Sequence, residues 1–161
     1  MINYQSGQQS PQTTFRTITI IHLALMAGQV MFAAVVLGLT KKAVFSIQYT
    51  GDPLLYIVPV MAIASFMASD YLFKQQIDIA RTKDTLQSKL VVYQTALIIR
   101  SALLEGASLF AIVAMQLTGN LFFIIISVFI ILYFFSFRPK KDKLESLLKL
   151  SYEEKIELDA R

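Results

Sequence analysis

The sequence predicts an all-α integral membrane protein: a four-transmembrane-helix bundle built from two parallel helix-pair repeats, followed by an amphipathic cytoplasmic helix. Three observations predict it. Hydrophobic residues make up 55 % of the 161 residues and the mean hydropathy is +0.57, which is more apolar surface than one soluble core of this size can bury. Four apolar runs approach the length that crosses a hydrocarbon core of about 30 Å. The first and third runs also resemble each other.

The elements follow in order along the chain. Residues 1–17 form a polar tail that we expect to be cytoplasmic, and the apolar run after it is too long for a secretory signal. Spans are expected at about 18–39, 54–73, 90–117 and 121–137. Turn residues separate the spans of each pair, namely Thr50-Gly51-Asp52-Pro53 and Thr118-Gly119-Asn120. Residues 74–89 lack Gly and Pro, so we expect them to extend the flanking helices.

The last segment, 138–161, is expected to form one cytoplasmic helix. Arg138-Pro139-Lys140-Lys141 ends the fourth apolar run. Such a helix suits the inner leaflet of a membrane, a partner protein or second copy, or a solvated cap, and the sequence leaves these open. The apolar residues that recur at helical spacing are Leu144, Leu147, Leu148, Tyr152 and Ile156.

Charge distribution predicts the orientation of the bundle. Twelve Lys and Arg residues lie on the side that holds both termini and the loop 74–89, whereas the other side has only Lys41 and Lys42. The positive-inside rule therefore predicts cytoplasmic N- and C-termini. We expect a multi-pass protein of a bacterial inner membrane.

The first and third spans align without gaps at an offset of 78 residues, with ten identities in 21 positions. An ancestral duplication explains these matches better than convergence on residues that suit membrane packing, and it implies a pseudo-twofold axis along the membrane normal. Both copies contain small residues four apart, Ala24 with Gly28 and Ala102 with Gly106. Such pairs let helices approach closely, either within one chain or between copies of it.

Composition excludes several classes of site. The chain has no Cys and one His, so disulfides, thiolate metal sites and multi-His centres are excluded. No nucleotide-binding loop or catalytic motif is present. We therefore expect no metal and no cofactor. The formal charge of +4 is explained by topology and anionic lipid, so the expected partners are the lipid bilayer and membrane subunits or further copies, but no nucleic acid.

Glu105 is the most unusual residue, since a charge at its depth costs about 3 kcal/mol. Ser101, Ser108 and Gln116 are expected to share its face of the helix, because they lie at steps near 3.6 residues. Such a polar stripe suits proton or cation handling, a ligand, or an interhelical hydrogen bond. The sequence slightly favours the hydrogen bond.

A second polar group is expected near the cytoplasmic face. His22, Asp70 and Arg100 lie at similar distances from the cytoplasmic ends of their spans, which predicts an Asp70–Arg100 ion pair with His22 nearby. Such a pair more often fixes helix order than forms the mouth of a proton path toward Glu105. Gln29, two turns beyond His22, is expected to bond across a helix interface.

One stretch, from Ala80-Arg81-Thr82-Lys83 to Ala102-Leu103-Leu104-Glu105, resembles the proteolipid subunits of rotary ATPases. In those subunits a basic cytoplasmic loop leads into a helix with one buried carboxylate in an Ala-Leu-x-Glu setting. The resemblance implies a duplicated hairpin of four spans and an ion-carrying role for Glu105. Two features depart from the family pattern: spans two and four contain no Gly, and Glu105 lies on the first helix of its half.

Three functional hypotheses follow. The leading one is a non-enzymatic subunit of a membrane complex or homo-oligomer, because the soluble parts are small and the helices carry small-residue faces. The second is a proton- or ion-translocating element that uses Glu105. The third is a small-molecule or lipid-handling membrane enzyme, which rests on the His22, Asp70 and Arg100 group.

Overall fold

The computed structural model describes residues 10–40, 43–47 and 51–159. This part of the chain forms six helices and no strand, which confirms the all-helical prediction. The predictions that concern Lys41, Lys42, Thr50 and the stretches 1–9 and 160–161 lie outside the described residues. The helices are α1 Pro11–Leu39, α2 Leu54–Arg81, α3 Leu86–Thr118, α4 Leu121–Ser136, α5 Lys141–Leu148 and α6 Tyr152–Asp159.

The helix ends have local chemical causes. The hydroxyl of Ser10 accepts a hydrogen bond from the Thr13 amide, and Pro11 occupies the first turn of α1, where its missing N–H costs nothing. Thr85 caps α3 in the same way. At the far end of α3, Gly119 takes the left-handed conformation at φ 69°, which glycine adopts without a steric penalty. The tight turn predicted before α4 is therefore a helix stop.

α3 is the central helix of the bundle. It packs along α1, α2 and α4, whereas α1 and α2 make little contact with each other. Two hydrogen bonds fix the register of the parallel helices α1 and α3: Gln87 donates to the Thr14 hydroxyl, and the Thr40 hydroxyl lies 3.7 Å from the Met115 sulfur. α3 and α4 pack against each other, whereas α1 and α2 hardly do. The contacts within the first predicted helix pair therefore differ from those within the second.

Three helices of the described chain, α1, α2 and α3, are each long and apolar enough to cross a membrane. α4 has 16 residues and reaches that length only together with α5, from which it is bent by 78°. The described part of the chain thus has three such helices, or four if α4 and α5 count as one bent span. The predicted fourth span coincides with α4.

The C-terminal segment forms two short helices, so the prediction of one continuous helix is wrong. Lys149 ends α5 in the left-handed conformation at φ 50°, and the chain changes direction there. The turn divides the predicted apolar stripe into two parts that differ in burial. Leu144 and Leu148 are buried, whereas Tyr152 and Ile156, beyond the turn, are exposed.

These two helices fold back onto one end of the bundle. Lys89 of α3 forms an ion pair of 2.6 Å with Glu154 of α6. Arg81 Nε donates to the Leu147 carbonyl at 2.8 Å, and Gln12 Nε2 donates to the Glu157 carbonyl at 2.6 Å. The beginning of α1 and the C-terminal helices therefore lie at the same end of the molecule.

Candidate functional site

Arg100 is the centre of a polar cluster within the bundle. Its side chain is 10 % exposed, and its Nη2 lies 3.5 Å from Asp70 Oδ1, so the predicted ion pair is present. Asp70 also pairs with Lys74 at 2.7 Å, one turn along α2. One carboxylate therefore serves two cations, and only one of these cations is buried.

Aromatic rings surround the guanidinium of Arg100. Its carbon lies 4.7 Å from the centre of the Phe73 ring, 4.4 Å from that of Phe137 and 5.4 Å from that of Tyr133. Nη2 also donates a hydrogen bond to the Tyr133 hydroxyl. Cation–π contacts of a desolvated Arg contribute about 2 kcal/mol, so the cage adds to the ion pair in holding the charge.

Sequence reasoning missed the aromatic cage. Aromatic residues concentrate at the interfaces of membrane proteins, and Phe73, Tyr133 and Phe137 lie within the last five residues of the predicted spans 54–73 and 121–137. The depth comparison that brought Asp70 to Arg100 would have included them had it not been limited to charged side chains.

A cavity of about 210 Å³ opens beside Arg100, between α2, α3 and α5. Arg100, Lys74 and Lys143 contribute three cations to its lining, and Asp70 contributes the one carboxylate among the described residues that line it. Among the described residues, none pairs with Lys143. The cavity therefore has an excess of positive charge. Its apolar lining consists of Phe73, Tyr93, Leu97, Phe137 and Leu147.

His22 lies apart from the ion pair. Its ring stacks on Phe134 with centroids 4.5 Å apart and meets the edge of Phe137 at 5.4 Å. Phe137 thus separates the imidazole from Arg100. The ring interacts weakly with the backbone of Phe134. Neither ring nitrogen, however, has a partner at hydrogen-bond geometry within the described chain. The side of His22 toward α3 borders a cavity of about 10 Å³ beside Ser101, which is room for about one water molecule.

The predicted polar stripe of α3 is divided between two environments. Ser101 and Ser108 are buried, and the Ser108 hydroxyl bonds to that of Ser127 on α4 at 2.8 Å. Glu105 is partly exposed, and Gln116 is exposed. No hydrogen bond or ion pair reaches Glu105 from the described residues. The four side chains therefore do not form one site within a single chain.

Gln29 is fully buried, but its amide nitrogen and oxygen have no hydrogen-bond partner within the described chain. The register of α1 against α3 places it level with residues 102–104, where the neighbouring buried side chain is Leu104. The interhelical bond expected of Gln29 is therefore not formed.

The two small-residue motifs lie on the outside of the bundle. Ala24, Gly28, Ala102 and Gly106 are all exposed. A Cβ atom added to either glycine would meet no heavy atom within 4 Å. Of the two possibilities that the sequence left open, packing within one chain is thus excluded for these motifs.

The ion pair between Lys89 and Glu154 is the best-enclosed charge pair outside the bundle, with side chains 11 % and 14 % exposed. Burial by itself raises the pKa of Glu154. The hydrogen bond and positive charge of Lys89, together with bonds from Ser151, outweigh this effect and hold the pKa below its ordinary value.

Comparison of the chain with protein-family models, with curated proteins and with solved structures finds no match in any of the three. The function must therefore be inferred from the geometry of the chain itself.

Proposed function

We propose that the chain is a multi-pass membrane protein that acts as a subunit, assembling with further copies or with other membrane proteins through the exposed face of α1 and α3. The observation that carries the proposal is Glu105: a carboxyl group in the middle of an apolar helix, at the outside of the bundle, with no partner from the described residues.

The exposed surface supports insertion into a membrane. In the most apolar 18-residue window of α2 only 11 % of the residues are buried, and in that of α1 only 22 %. Large apolar side chains, including Met31, Val60 and Met67, are more than 45 % exposed. Water-soluble proteins rarely expose such continuous apolar surface, whereas lipid requires it.

The charges support an orientation with the α5–α6 end in the cytoplasm. The Lys and Arg residues of the described C-terminal segment and of the α2–α3 connection lie at that end of the bundle. The positive-inside rule assigns such an end to the cytoplasm.

The small-residue motifs support assembly. α1 and α3 are parallel neighbours, and their register places Gly28 level with residues 101–103 of α3. The space above Gly28 and above Gly106 is open, so the backbone of another helix can approach either glycine. Close packing of this kind drives helix association in lipid, where the hydrophobic effect between helices is absent.

Glu105 completes this face. It directly precedes Gly106, so a helix packed over the glycine lies within reach of the carboxyl group. An unpaired polar group in hydrocarbon is costly, and a partner that accepts or donates a hydrogen bond to it removes that cost. On this proposal the face has a docking position and a polar contact that selects the partner.

Native mass spectrometry after gentle detergent extraction tests the proposal. We expect a homo-oligomer or a stoichiometric complex with other membrane proteins. Gly28→Leu should dissociate it, and Gly38→Leu is the matched control. Both glycines lie on α1 with open space above them, but the second is about 15 Å further along the axis. Monomers of the unmodified chain, without bound protein, would contradict the proposal.

An ion-translocating role is the second candidate, because the same partly exposed Glu105 has the depth at which ion carriers hold a carboxylate. The two roles respond differently to Glu105→Gln. The amide still forms hydrogen bonds, so assembly persists on the first proposal, whereas a proton carrier loses its flux. Proton flux in proteoliposomes that is equal for both proteins removes the second candidate.

A further inference from the structure

The geometry points to a binding site for an acidic phospholipid, with its phosphate in the cavity beside Arg100 and an acyl chain in the groove between α2 and α4. The inference rests on the membrane insertion in the proposed function but not on assembly.

The first support is the charge of the cavity. Arg100 is caged by aromatic rings, and the one carboxylate within reach, Asp70, is closer to Lys74 than to Arg100. With Lys143, which has no partner among the described residues, the lining has three cations against one anion. A phosphate group supplies the missing negative charge and accepts hydrogen bonds from cationic side chains of this kind.

The second support is the size and position of the cavity. Its volume of about 210 Å³ is below the range of about 300–1,000 Å³ that encloses a whole small-molecule ligand. It suits a headgroup whose remainder lies outside. Lys74 and Asp70 stand at its mouth with side chains 73 % and 34 % exposed. Their position near the α5–α6 end of the bundle is the depth at which headgroups lie if that end is cytoplasmic.

The third support is an apolar groove that begins next to the cavity. It has a volume of about 280 Å³, and none of the described residues that line it is charged. Phe66 of this groove is one turn, about 6 Å, along α2 from Asp70. Tyr133 lines the groove with its ring and bonds to Arg100 with its hydroxyl, so it joins the two compartments. Ile63 and Phe129 are 62 % and 68 % exposed, which leaves the groove open to surrounding lipid.

A free phosphate ion explains only the charged compartment. The groove has no role for such an ion, whereas a lipid occupies both compartments at once. The adjacent arrangement of cations and apolar groove therefore favours the lipid.

Native mass spectrometry of the delipidated chain in detergent tests the site. The probes are dioleoyl phosphatidylglycerol, dioleoyl phosphatidylcholine and inorganic phosphate. We expect phosphatidylglycerol to bind more tightly than phosphatidylcholine. Lys143→Gln should weaken phosphatidylglycerol binding about fivefold, and Lys140→Gln should leave it within a factor of two. Both lysines are exposed, so neither change disturbs the core, and both remove the same charge.

Two further variants separate this site from a structural ion pair and from a free anion. Asp70→Asn should tighten lipid binding, because it removes the carboxylate that competes for Arg100, whereas a merely structural role predicts weaker binding. Ile63→Trp fills the groove and should weaken binding of the lipid, and Val60→Trp, which is equally exposed on α2 but outside the groove, should not.

Three results would overturn the inference: equal binding of the two lipids, equal effects of the two lysine variants, or displacement of phosphatidylglycerol by inorganic phosphate together with no effect of Ile63→Trp. The same spectra report the oligomeric state separately. An intact assembly that lacks lipid therefore refutes this inference alone, and a monomer that binds lipid refutes only the proposed assembly.

Discussion

Phe137 lies under Arg100, with the guanidinium carbon 4.4 Å from the centre of its ring. The contact joins the end of α4 to α3 and is enclosed, because Phe137 is 5 % exposed and Arg100 is 8 % exposed. It therefore contributes more than a surface cation–π contact does.

A double-mutant cycle measures this contribution. Arg100→Met and Phe137→Leu should each lower the thermal midpoint of the purified protein, and we expect a coupling free energy of about 1–2 kcal/mol. Arg138 over Phe135, at 5.2 Å, is a matched pair whose residues are both exposed, and its coupling should be smaller. The thermal midpoints are measured by circular dichroism at 222 nm. Equal coupling free energies in the two pairs would show that the enclosed contact contributes no more than the exposed one.

The Ser108–Ser127 hydrogen bond joins α3 to α4 in the buried interior. Ser108→Ala leaves the Ser127 hydroxyl without this partner, so we expect a loss of about 1 kcal/mol. Replacing both serines by alanine should cost less than the sum of the single changes, because no unsatisfied hydroxyl remains. If the stability losses of the two single variants add up to the loss of the double variant, the two hydroxyls do not interact.

Gln29 is a buried amide without a hydrogen-bond partner among the described residues. Gln29→Leu removes the cost of the unsatisfied group, so the protein should become more stable by about 1 kcal/mol, or about 2–4 °C in thermal midpoint. Gln116→Leu is the control, since this residue is exposed, and its midpoint should stay the same. A lower midpoint for Gln29→Leu would show that the amide has a partner in the membrane, such as a bound water.

The docking of α6 should depend on pH. The pKa of Glu154 is lowered in the folded chain, so its ion pair with Lys89 contributes stability above the ordinary carboxyl pKa of about 4.3. This contribution is lost as the pH falls through the lowered value. The protection factors of the α6 amides in hydrogen exchange, which are corrected for the pH dependence of the intrinsic rate, should therefore fall below about pH 4. In Glu154→Gln the protection factors should already be low at neutral pH, and the same pH dependence in this variant would contradict the assignment.

Much of the fold is predictable from the sequence because apolar length determines where helices lie. The Asp70–Arg100 contact was also predictable, since counting residues from the ends of the spans gives their depth. Depth does not give the direction around the helix axis. For this reason His22, at the correct depth, faces Phe134 and not the ion pair.

Other features depend on tertiary contacts that periodicity does not contain. The helical period relates Ser101 to Glu105 but does not show that α4 covers Ser108 and leaves Glu105 at the edge. The break at Lys149 had no sequence signal, because a left-handed helix end normally carries Gly. There, burial of Leu148 and Leu158 against the bundle outweighs the cost of the conformation.

The most direct test of assembly is site-specific photo-crosslinking in native membranes. The chain contains no Cys, so Val113→Cys provides a single attachment point for a benzophenone maleimide. Val113 is exposed on α3 and lies two turns beyond Gly106, so the probe flanks the docking position without filling it. Ile63→Cys, on the exposed side of α2, is the control. We predict that the probe at position 113 crosslinks to protein, either a second copy or another subunit, and that the probe at position 63 does so far less. Crosslinks to lipid alone at position 113 would contradict the account.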